Sequence, residues 1–115
     1  MSVTIYHNPK CSKSRQTLEL LSAKGITPTI IEYIKNPPTV EKLKEILSQL
    51  GIAPLDLMRT KEDIYKELEL GILSLSDKDL IDLMIEHPIL IERPIVIANG
   101  KAVLGRPPEQ VLDIL

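Results

Sequence analysis

Residues 3–25 read VTIYHNPKCSKSRQTLELLSAKG, and this stretch decides the fold. Residues 3–7 are mostly apolar and β-branched, which predicts a short buried strand. Residues 15–24 carry leucines at helical spacing, and Gly25 follows them as a residue suited to the position just beyond a helix end. The only cysteine of the chain, Cys11, lies between the two. The stretch therefore predicts a strand, a turn that presents a thiol, and a helix.

The residues that follow extend this start into a βαβ unit. A β-branched run at residues 29–34 predicts a second strand, parallel to the first and joined to it by a right-handed crossover. An Asn-Pro-Pro break comes next, and Thr39 then caps a predicted helix that ends at Gly51. Residues 52–75 have a less regular pattern, which predicts short helical pieces and loops. A capping box at residues 76–79 opens a further helix.

The last part of the chain predicts a hairpin and a final helix. Two apolar runs, at residues 94–98 and 101–104, are joined by an Asn-Gly dipeptide at 99–100. Asn-Gly between two such runs is the strongest short signal for a hairpin. Two prolines at 107–108 then open a helix, and its predicted inward-facing residues are Val111, Leu112 and Leu115.

This order of elements predicts an α/β fold of the thioredoxin-like (glutaredoxin-like) type. The sheet would be mixed, because a hairpin extends a parallel pair, with helices on both faces and a helical insertion. A chain of 115 residues suits one domain, so we expect residues 1–115 to form a single domain. Thioredoxin-like domains resemble one another in a cis-proline before the third strand, which is the position of Pro94. The sequence alone does not show the geometry of that bond.

Composition narrows the classes of function. The net charge is −2 and the only aromatic residues are three tyrosines, so neither the basic bias nor the stacking surface of a nucleic-acid-binding protein is present. One cysteine cannot form an internal disulfide, which suits a reducing compartment. The first residues lack a secretory pattern, and no apolar run reaches the roughly 18 residues of a membrane span. We therefore expect a cytoplasmic protein with no nucleic-acid or membrane partner.

Cys11 is predicted to be a reactive thiolate. It lies near the start of a helix, where unpaired N–H groups favour the anion, and Lys10, Lys13 and Arg15 add positive charge. The alternative is a small buried filler, which would normally have apolar neighbours. The CxxS pattern that ends at Ser14 has no second thiol, so turnover would need an external thiol such as glutathione or a glutaredoxin.

Two polar residues near the cysteine each have two interpretations. Ser14 either hydrogen-bonds the thiolate or is only a polar residue of the first helical turn. His7, at the end of the first strand, either tunes the cysteine or is structural. The sequence leaves both alternatives open.

Several arginines together predict a site for an oxyanion. Arg93 directly precedes Pro94 and Arg106 directly follows the hairpin, so a thioredoxin-like fold would bring both near the cysteine. Arg59 follows an apolar segment, and Arg15 lies in the first helical turn. Guanidinium groups around a thiolate are planar, bidentate donors that suit a tetrahedral anion. The alternative of an ordinary solvated arginine stays open, above all for Arg15.

Six motifs span nearly the whole chain. In chain order they are HNPxCxxSR from His7, PTIIxY from Pro28, NPPT from Asn36, LMR ending at Arg59, HPILIxRPIV from His87, and the pair Arg106-Pro107. In this order they resemble the glutaredoxin-linked arsenate reductase (ArsC) family, in its short bacterial branch.

The resemblance implies a function and a set of site residues. Cys11 would be the nucleophile that attacks arsenate, and Arg59, Arg93 and Arg106 would bind the oxyanion and the transition state. Glutathione, as co-substrate, would then attack the thiol–arsenic adduct, and glutaredoxin would reduce the mixed disulfide. Arsenite would be released without a metal or a bound cofactor.

Two features depart from the better-known members of that family. Lys10, Ser12 and Lys13 replace small residues beside the cysteine, and we expect the added charge to lower the pKa of Cys11 further. The chain also ends at Leu115, where longer members carry a C-terminal extension.

Other functions fit the residues less well. A phosphatase-like arsenate reductase needs CxxxxxR, but the required position holds Thr17. An iron–sulfur monothiol glutaredoxin has Gly-Phe where this loop reads Ser-Lys. Two alternatives stay open: a thioredoxin-fold transcription adaptor that binds RNA polymerase, and a thiol-transfer enzyme with another substrate. The redox-sensing adaptors generally use CxxC, and Ser14 removes the second thiol here.

Overall fold

The structure, a computed structural model, describes residues 2–68 and 75–115. Its strands are β1 (Val3–His7), β2 (Thr29–Glu32), β3 (Ile95–Ala98) and β4 (Lys101–Leu104). Its α-helices are α1 (Ser12–Ala23), α2 (Val40–Leu50), α3 (Pro54–Leu57), α4 (Asp63–Glu67) and α5 (Asp77–Glu86). Two 3₁₀ helices cover Pro88–Leu90 and Pro108–Ile114. In the described part of the chain, no helix is long and apolar enough to cross a membrane.

The described chain divides into two compact units. The first comprises the chain up to Asn36 together with Arg93–Leu115, and it contains all four strands. The second comprises the described residues between Pro37 and Glu92, and its regular elements are helices. The expectation of a single domain over residues 1–115 stays a prediction.

The first unit is built on a mixed sheet with the strand order β2-β1-β3-β4. β1 pairs with β2 in parallel, whereas β3 is antiparallel to both β1 and β4. Asn99 and Gly100 have positive φ angles of 55° and 73°, which the predicted tight turn requires. The predicted thioredoxin-like α/β plan, a βαβ unit extended by a hairpin, is thereby confirmed. β2 stops at Glu32, before the predicted end at residue 34, because the N–H groups of Lys35 and Asn36 turn back to the Glu32 carbonyl.

The start of α1 places the cysteine. Ser12 is the first residue of the helix, so Cys11 is its N-cap residue. The leucine spacing predicted a later start because it marks only the buried part of the helix, while the first turn is polar and largely exposed. α1 ends before Gly25, which has a φ of 76° as expected for a residue beyond a helix end.

The core of the first unit lies between the sheet, α1 and the C-terminal 3₁₀ helix. Alternate residues of β1 and β3 face it, since successive side chains of a strand point to opposite sides. Leu112 was predicted to face inward, and that prediction is wrong: it is 38% exposed. A 3₁₀ helix has three residues per turn and therefore turns Val111 and Ile114 toward the core instead. The buried core residues are Val3, Ile5, Leu21, Val96, Ala98 and Val111.

Helices α2 and α5 of the second unit begin where the sequence predicts. The side chain of Thr39 caps α2 by accepting a hydrogen bond from the Lys42 N–H, and the helix ends at Gly51 with a φ of 71°. Ser76 and Asp79 form both hydrogen bonds of the predicted capping box at the start of α5. Short helices follow α2, as the irregular pattern predicted. Part of that segment, including Leu70 and Ile72, lies outside the described residues.

A close contact fixes the segment between β4 and Arg106. A Cβ atom on Gly105 would lie 2.6 Å from Thr17 Oγ1 and 2.8 Å from Pro94 Cγ, closer than real Cβ atoms approach. The Gly105 N–H also donates to the Pro94 carbonyl over 3.0 Å. Thr17 is fully buried and Pro94 is a rigid ring, so neither can move aside easily. The peptide bonds Arg93–Pro94 and Arg106–Pro107 are both cis.

Gly105→Ala should therefore destabilise the protein by about 1–3 kcal/mol, as overpacking does. Chemical denaturation measures the free energy of unfolding. Ser22→Ala, on the exposed side of α1, is the control and should change it by less than about 0.5 kcal/mol. Equal stability of the Gly105→Ala protein and the wild type would contradict this account of the contact.

Candidate active site

A hydrogen-bonded turn presents Cys11 at the start of α1. The Cys11 N–H donates to the Asn8 carbonyl over 3.0 Å, and the Lys10 N–H donates to Asn8 Oδ1 over 3.0 Å. Arg15 reaches back from the first helical turn, and its Nη1 donates to the Pro9 carbonyl over 2.8 Å. The turn is thus held from the strand side and from the helix side. Arg15 therefore has a structural role, because it holds the turn through the Pro9 carbonyl.

His7 and Ser14 form a buried pair beside this turn. His7 Nδ1 lies 2.6 Å from Ser14 Oγ, and the same oxygen accepts a hydrogen bond from the Asn8 N–H over 3.0 Å. Burial lowers the pKa of His7, Arg15 lowers it further, and Glu32 opposes both. A neutral His7 can accept a hydrogen bond from the Ser14 hydroxyl at Nδ1. The Ser14 hydroxyl therefore contacts the last residue of β1 and the residue that follows it.

Two arginines converge on the sulfur of Cys11. Arg93 is 8% exposed, and its side chain hydrogen-bonds to Cys11. Arg106 Nη2 lies 3.5 Å from Cys11 Sγ, while Arg106 Nε donates to the Arg93 carbonyl over 2.7 Å. The backbone of one arginine thus holds the side chain of the other. The structure brings Cys11, Arg93 and Arg106 together within the first unit, as the boundary positions of the arginines predicted.

These surroundings lower the pKa of the thiol. Partial burial acts to raise the pKa of Cys11, but the Ser14 N–H, the Arg93 guanidinium and the Lys13 N–H together outweigh it. Both N–H groups belong to the first turn of α1, and they favour the thiolate because an ionised sulfur is a stronger hydrogen-bond acceptor than a neutral thiol. Arg106 also touches the sulfur, but it is more exposed, and water screens its charge more than that of buried Arg93.

The source of the lowered pKa differs from the one the sequence suggested. The side chains of Lys10, Lys13 and Arg15 were expected to stabilise the thiolate, yet none of them is among the groups that lower the pKa of Cys11. All three residues are exposed, so water screens their charges. The backbone N–H groups at the start of α1 and the Arg93 guanidinium lower the pKa of Cys11 instead.

Arg59, the third predicted arginine, lies in the second unit. Its Nε donates to Glu62 over 2.8 Å and its Nη1 to Glu92 over 2.7 Å. Burial acts to lower the pKa of Arg59, but these two carboxylates outweigh it and raise the pKa. The Arg59 N–H also donates to the Leu90 carbonyl over 2.7 Å, which connects the segment after α3 to the 3₁₀ helix Pro88–Leu90. Its predicted role as an oxyanion ligand stays a prediction.

Two residues that support the site were not predicted from the sequence to do so. Asn8 shapes the turn with its side chain, and the Asn-Pro dipeptide is a turn signal that could have shown this. Gly105 permits the close approach of β4 to Pro94, but no local pattern distinguishes it from any other glycine, because its neighbours come from distant parts of the chain. Among the residues that the structure describes, no cluster of three or more His, Cys, Asp or Glu could hold a metal ion.

Comparison with known proteins places the chain in a family. The model of the ArsC family matches residues 6–114. Arsenate reductase from Haemophilus influenzae is 53% identical over 116 residues, which cover 100% of both chains. The uncharacterized protein YfgD from Escherichia coli is 54% identical over 98% of this chain and 96% of its own. The solved structure of arsenate reductase from Vibrio cholerae is 59% identical, has a TM-score of 0.95, and is matched over 100% of this chain and 98% of its own.

The chain therefore belongs to the ArsC family. The match confirms the family that the six motifs predicted and, through the solved structure, the thioredoxin-like α/β fold.

The pH dependence of alkylation tests the electrostatics of the site. Cys11 is the only cysteine, so its reaction with iodoacetamide can be followed by mass spectrometry without ambiguity. We expect an apparent pKa below the free-cysteine value of about 8.5. Arg93→Gln should raise it, and Arg93→Lys should raise it less because the charge remains.

Lys101→Gln, on the exposed hairpin, is the control and should leave the alkylation profile unchanged. A wild-type midpoint at or above the free-cysteine value would refute the activated thiolate. An unchanged midpoint in Arg93→Gln would refute the role given to Arg93.

Proposed function

We propose that the protein reduces arsenate to arsenite, with Cys11 as the nucleophile and glutathione and glutaredoxin as the source of electrons. The main support for this proposal is that the Arg93 and Arg106 side chains both contact the Cys11 thiol, whose pKa is lowered. A nucleophilic anion normally repels an anionic substrate. Two guanidinium groups at the sulfur offset that repulsion and offer bidentate donors to arsenate oxygens. The relatives named arsenate reductase support the choice of substrate.

In the first proposed step, the Cys11 thiolate attacks arsenic. Dihydrogen arsenate exchanges one hydroxyl for the sulfur, a proton joins the departing hydroxide, and water leaves. The thiol–arsenic adduct keeps arsenic in its +5 state and carries one negative charge. Arg93 and Arg106 would hold the remaining oxygens, since their donors are already directed at the sulfur to which arsenic binds.

In the second proposed step, glutathione attacks the Cys11 sulfur of the adduct. A sulfur–sulfur bond forms, the sulfur–arsenic bond breaks, and its electron pair stays on arsenic, which becomes arsenite in the +3 state. The resulting mixed disulfide joins Cys11 to glutathione. Ser14 occupies the position where a CxxC protein has its resolving cysteine, so an external thiol has to reduce the mixed disulfide, and glutaredoxin is proposed in this role. All electrons come from thiols, and no bound cofactor is required.

Arg59 is proposed as the third ligand of the oxyanion. The support is the LMR motif together with membership of the family. Glu62 and Glu92 hold two sides of its guanidinium, which would limit the motion of the side chain. The reaction is proposed to take place in the cytoplasm, where glutathione is kept reduced.

A coupled assay tests this function directly. Arsenate should drive the oxidation of NADPH when glutathione, glutaredoxin and glutathione reductase are all present. Cys11→Ser should abolish turnover because it removes the nucleophile. Arg93→Ala should lower kcat/KM for arsenate by about 100-fold or more, the usual cost of losing a fixed donor to a developing oxyanion. Arg59→Ala should raise KM for arsenate.

Lys101→Gln is again the control and should retain the wild-type rate. Turnover that equals the background measured without protein would reject the proposal. If the protein also binds RNA polymerase in that case, the transcription adaptor is favoured. Turnover with glutathione alone, unaffected by glutaredoxin, would reject only the proposed last step.

A further inference from the structure

Two lysines beside the cysteine have no role in the machinery described so far. Lys10 directly precedes Cys11, and Lys13 follows it by two residues in the first turn of α1. Both are exposed, and within residues 2–68 and 75–115 neither forms an ion pair. Neither ammonium group is among the causes of the lowered thiol pKa. Their charges are therefore available to a molecule that approaches the sulfur from solvent.

The charge of this surface differs sharply from that of the chain as a whole. The protein has a net charge of −2, yet residues 8–18 contain two lysines, one arginine and no acidic residue. Arg93 and Arg106 add two more cations at the sulfur. A local positive surface on an acidic protein raises the encounter rate of anions at that place.

The anions that reach this surface differ in size. Arsenate is small and would be held by the arginines that contact the sulfur. Glutathione is larger, and its thiol lies between two carboxylate-bearing ends. When its sulfur lines up with the sulfur of Cys11, those ends extend away from the site, toward exposed groups on either side of the cysteine. A lysine suits such a contact because its charge sits on a long, flexible side chain.

We propose that Lys10 and Lys13 recognise the carboxylates of glutathione and so select it as the thiol that attacks the Cys11 adduct. This inference rests on the proposed function, since it names the residues that choose the co-substrate of that reaction. The two lysines are specificity-determining residues: they act on the rate with an anionic thiol and leave the chemistry at the sulfur unchanged.

Disulfide exchange tests the inference without arsenate. The Cys11 thiolate attacks one sulfur of oxidised glutathione, a new sulfur–sulfur bond forms, and a glutathione thiolate leaves. The product is the same mixed disulfide that the proposed second step forms. The neutral 2-hydroxyethyl disulfide reacts in the same way without carboxylates. The rate constant with oxidised glutathione, divided by the rate constant with 2-hydroxyethyl disulfide, therefore measures recognition of the anion. Changes in the reactivity of Cys11 itself affect both rate constants and cancel in this ratio.

The Lys10→Gln/Lys13→Gln double variant should lower this ratio by about fivefold at low salt, the size expected for two exposed charges near a dianion. The wild-type ratio should also fall as ionic strength rises. Lys24→Gln is the matched control: it lies at the other end of α1, roughly 20 Å along the helix from Cys11, so its charge acts more weakly on an anion at the sulfur and the ratio should stay close to the wild-type value.

Each outcome has a distinct meaning. A lower ratio in the double variant and an unchanged ratio in Lys24→Gln supports the inference. Equal losses with both disulfides, so that the ratio stays constant, overturns it, because the lysines would then act on the thiolate itself. Arsenate turnover with a constant ratio rejects the inference and keeps the proposed function. A lower ratio without arsenate turnover rejects the function and keeps the recognition of an anionic disulfide.

Discussion

Charge compensation at the Cys11 sulfur is the interaction on which the rest of the site depends. Water would stabilise an exposed thiolate, but partial burial removes some of that water. Backbone N–H groups at the start of α1 and the buried Arg93 guanidinium replace it. These groups are fixed by the fold, so they need little rearrangement when charge develops during a reaction. The turn at Asn8 and the contact at Gly105 matter because they hold the sulfur and the arginines in place.

The proposed reaction uses a single cysteine for its redox chemistry. Ser14 offers no second thiol, and its hydroxyl hydrogen-bonds with His7 Nδ1 and the Asn8 N–H. In the proposed reaction the electrons come from an external thiol, so the surface around Cys11 would have to admit a second molecule after the first has bound. The exposed positions of Lys10 and Lys13 give that surface its positive charge. Cys11, Arg93, Arg106 and the two lysines thus all belong to the first unit.

Local patterns predicted the elements of the fold well, because caps, turns and strand runs are set by neighbouring residues. Thr39 and Asn99 are examples, and Cys11 was correctly placed near a helix start. Predictions failed where the outcome depended on geometry or distant contacts. Leu112 is exposed because the last helix has a 3₁₀ rather than an α-helical period. The thiol is tuned by backbone groups and by Arg93, which lies 82 positions along the chain from Cys11, and no window of sequence reveals that distance in space.

Peptide mass spectrometry after a single turnover shows most directly whether Cys11 takes up glutathione as arsenate is reduced. The protein is incubated with glutathione and arsenate in the absence of glutaredoxin and oxidised glutathione, then quenched with acid and digested. We expect a mixed disulfide between glutathione and the peptide that contains Cys11. It should form only when arsenate is present and at the same rate as arsenite is released. Arsenite release without any glutathione on Cys11, or a mixed disulfide that forms equally well without arsenate, would contradict this account.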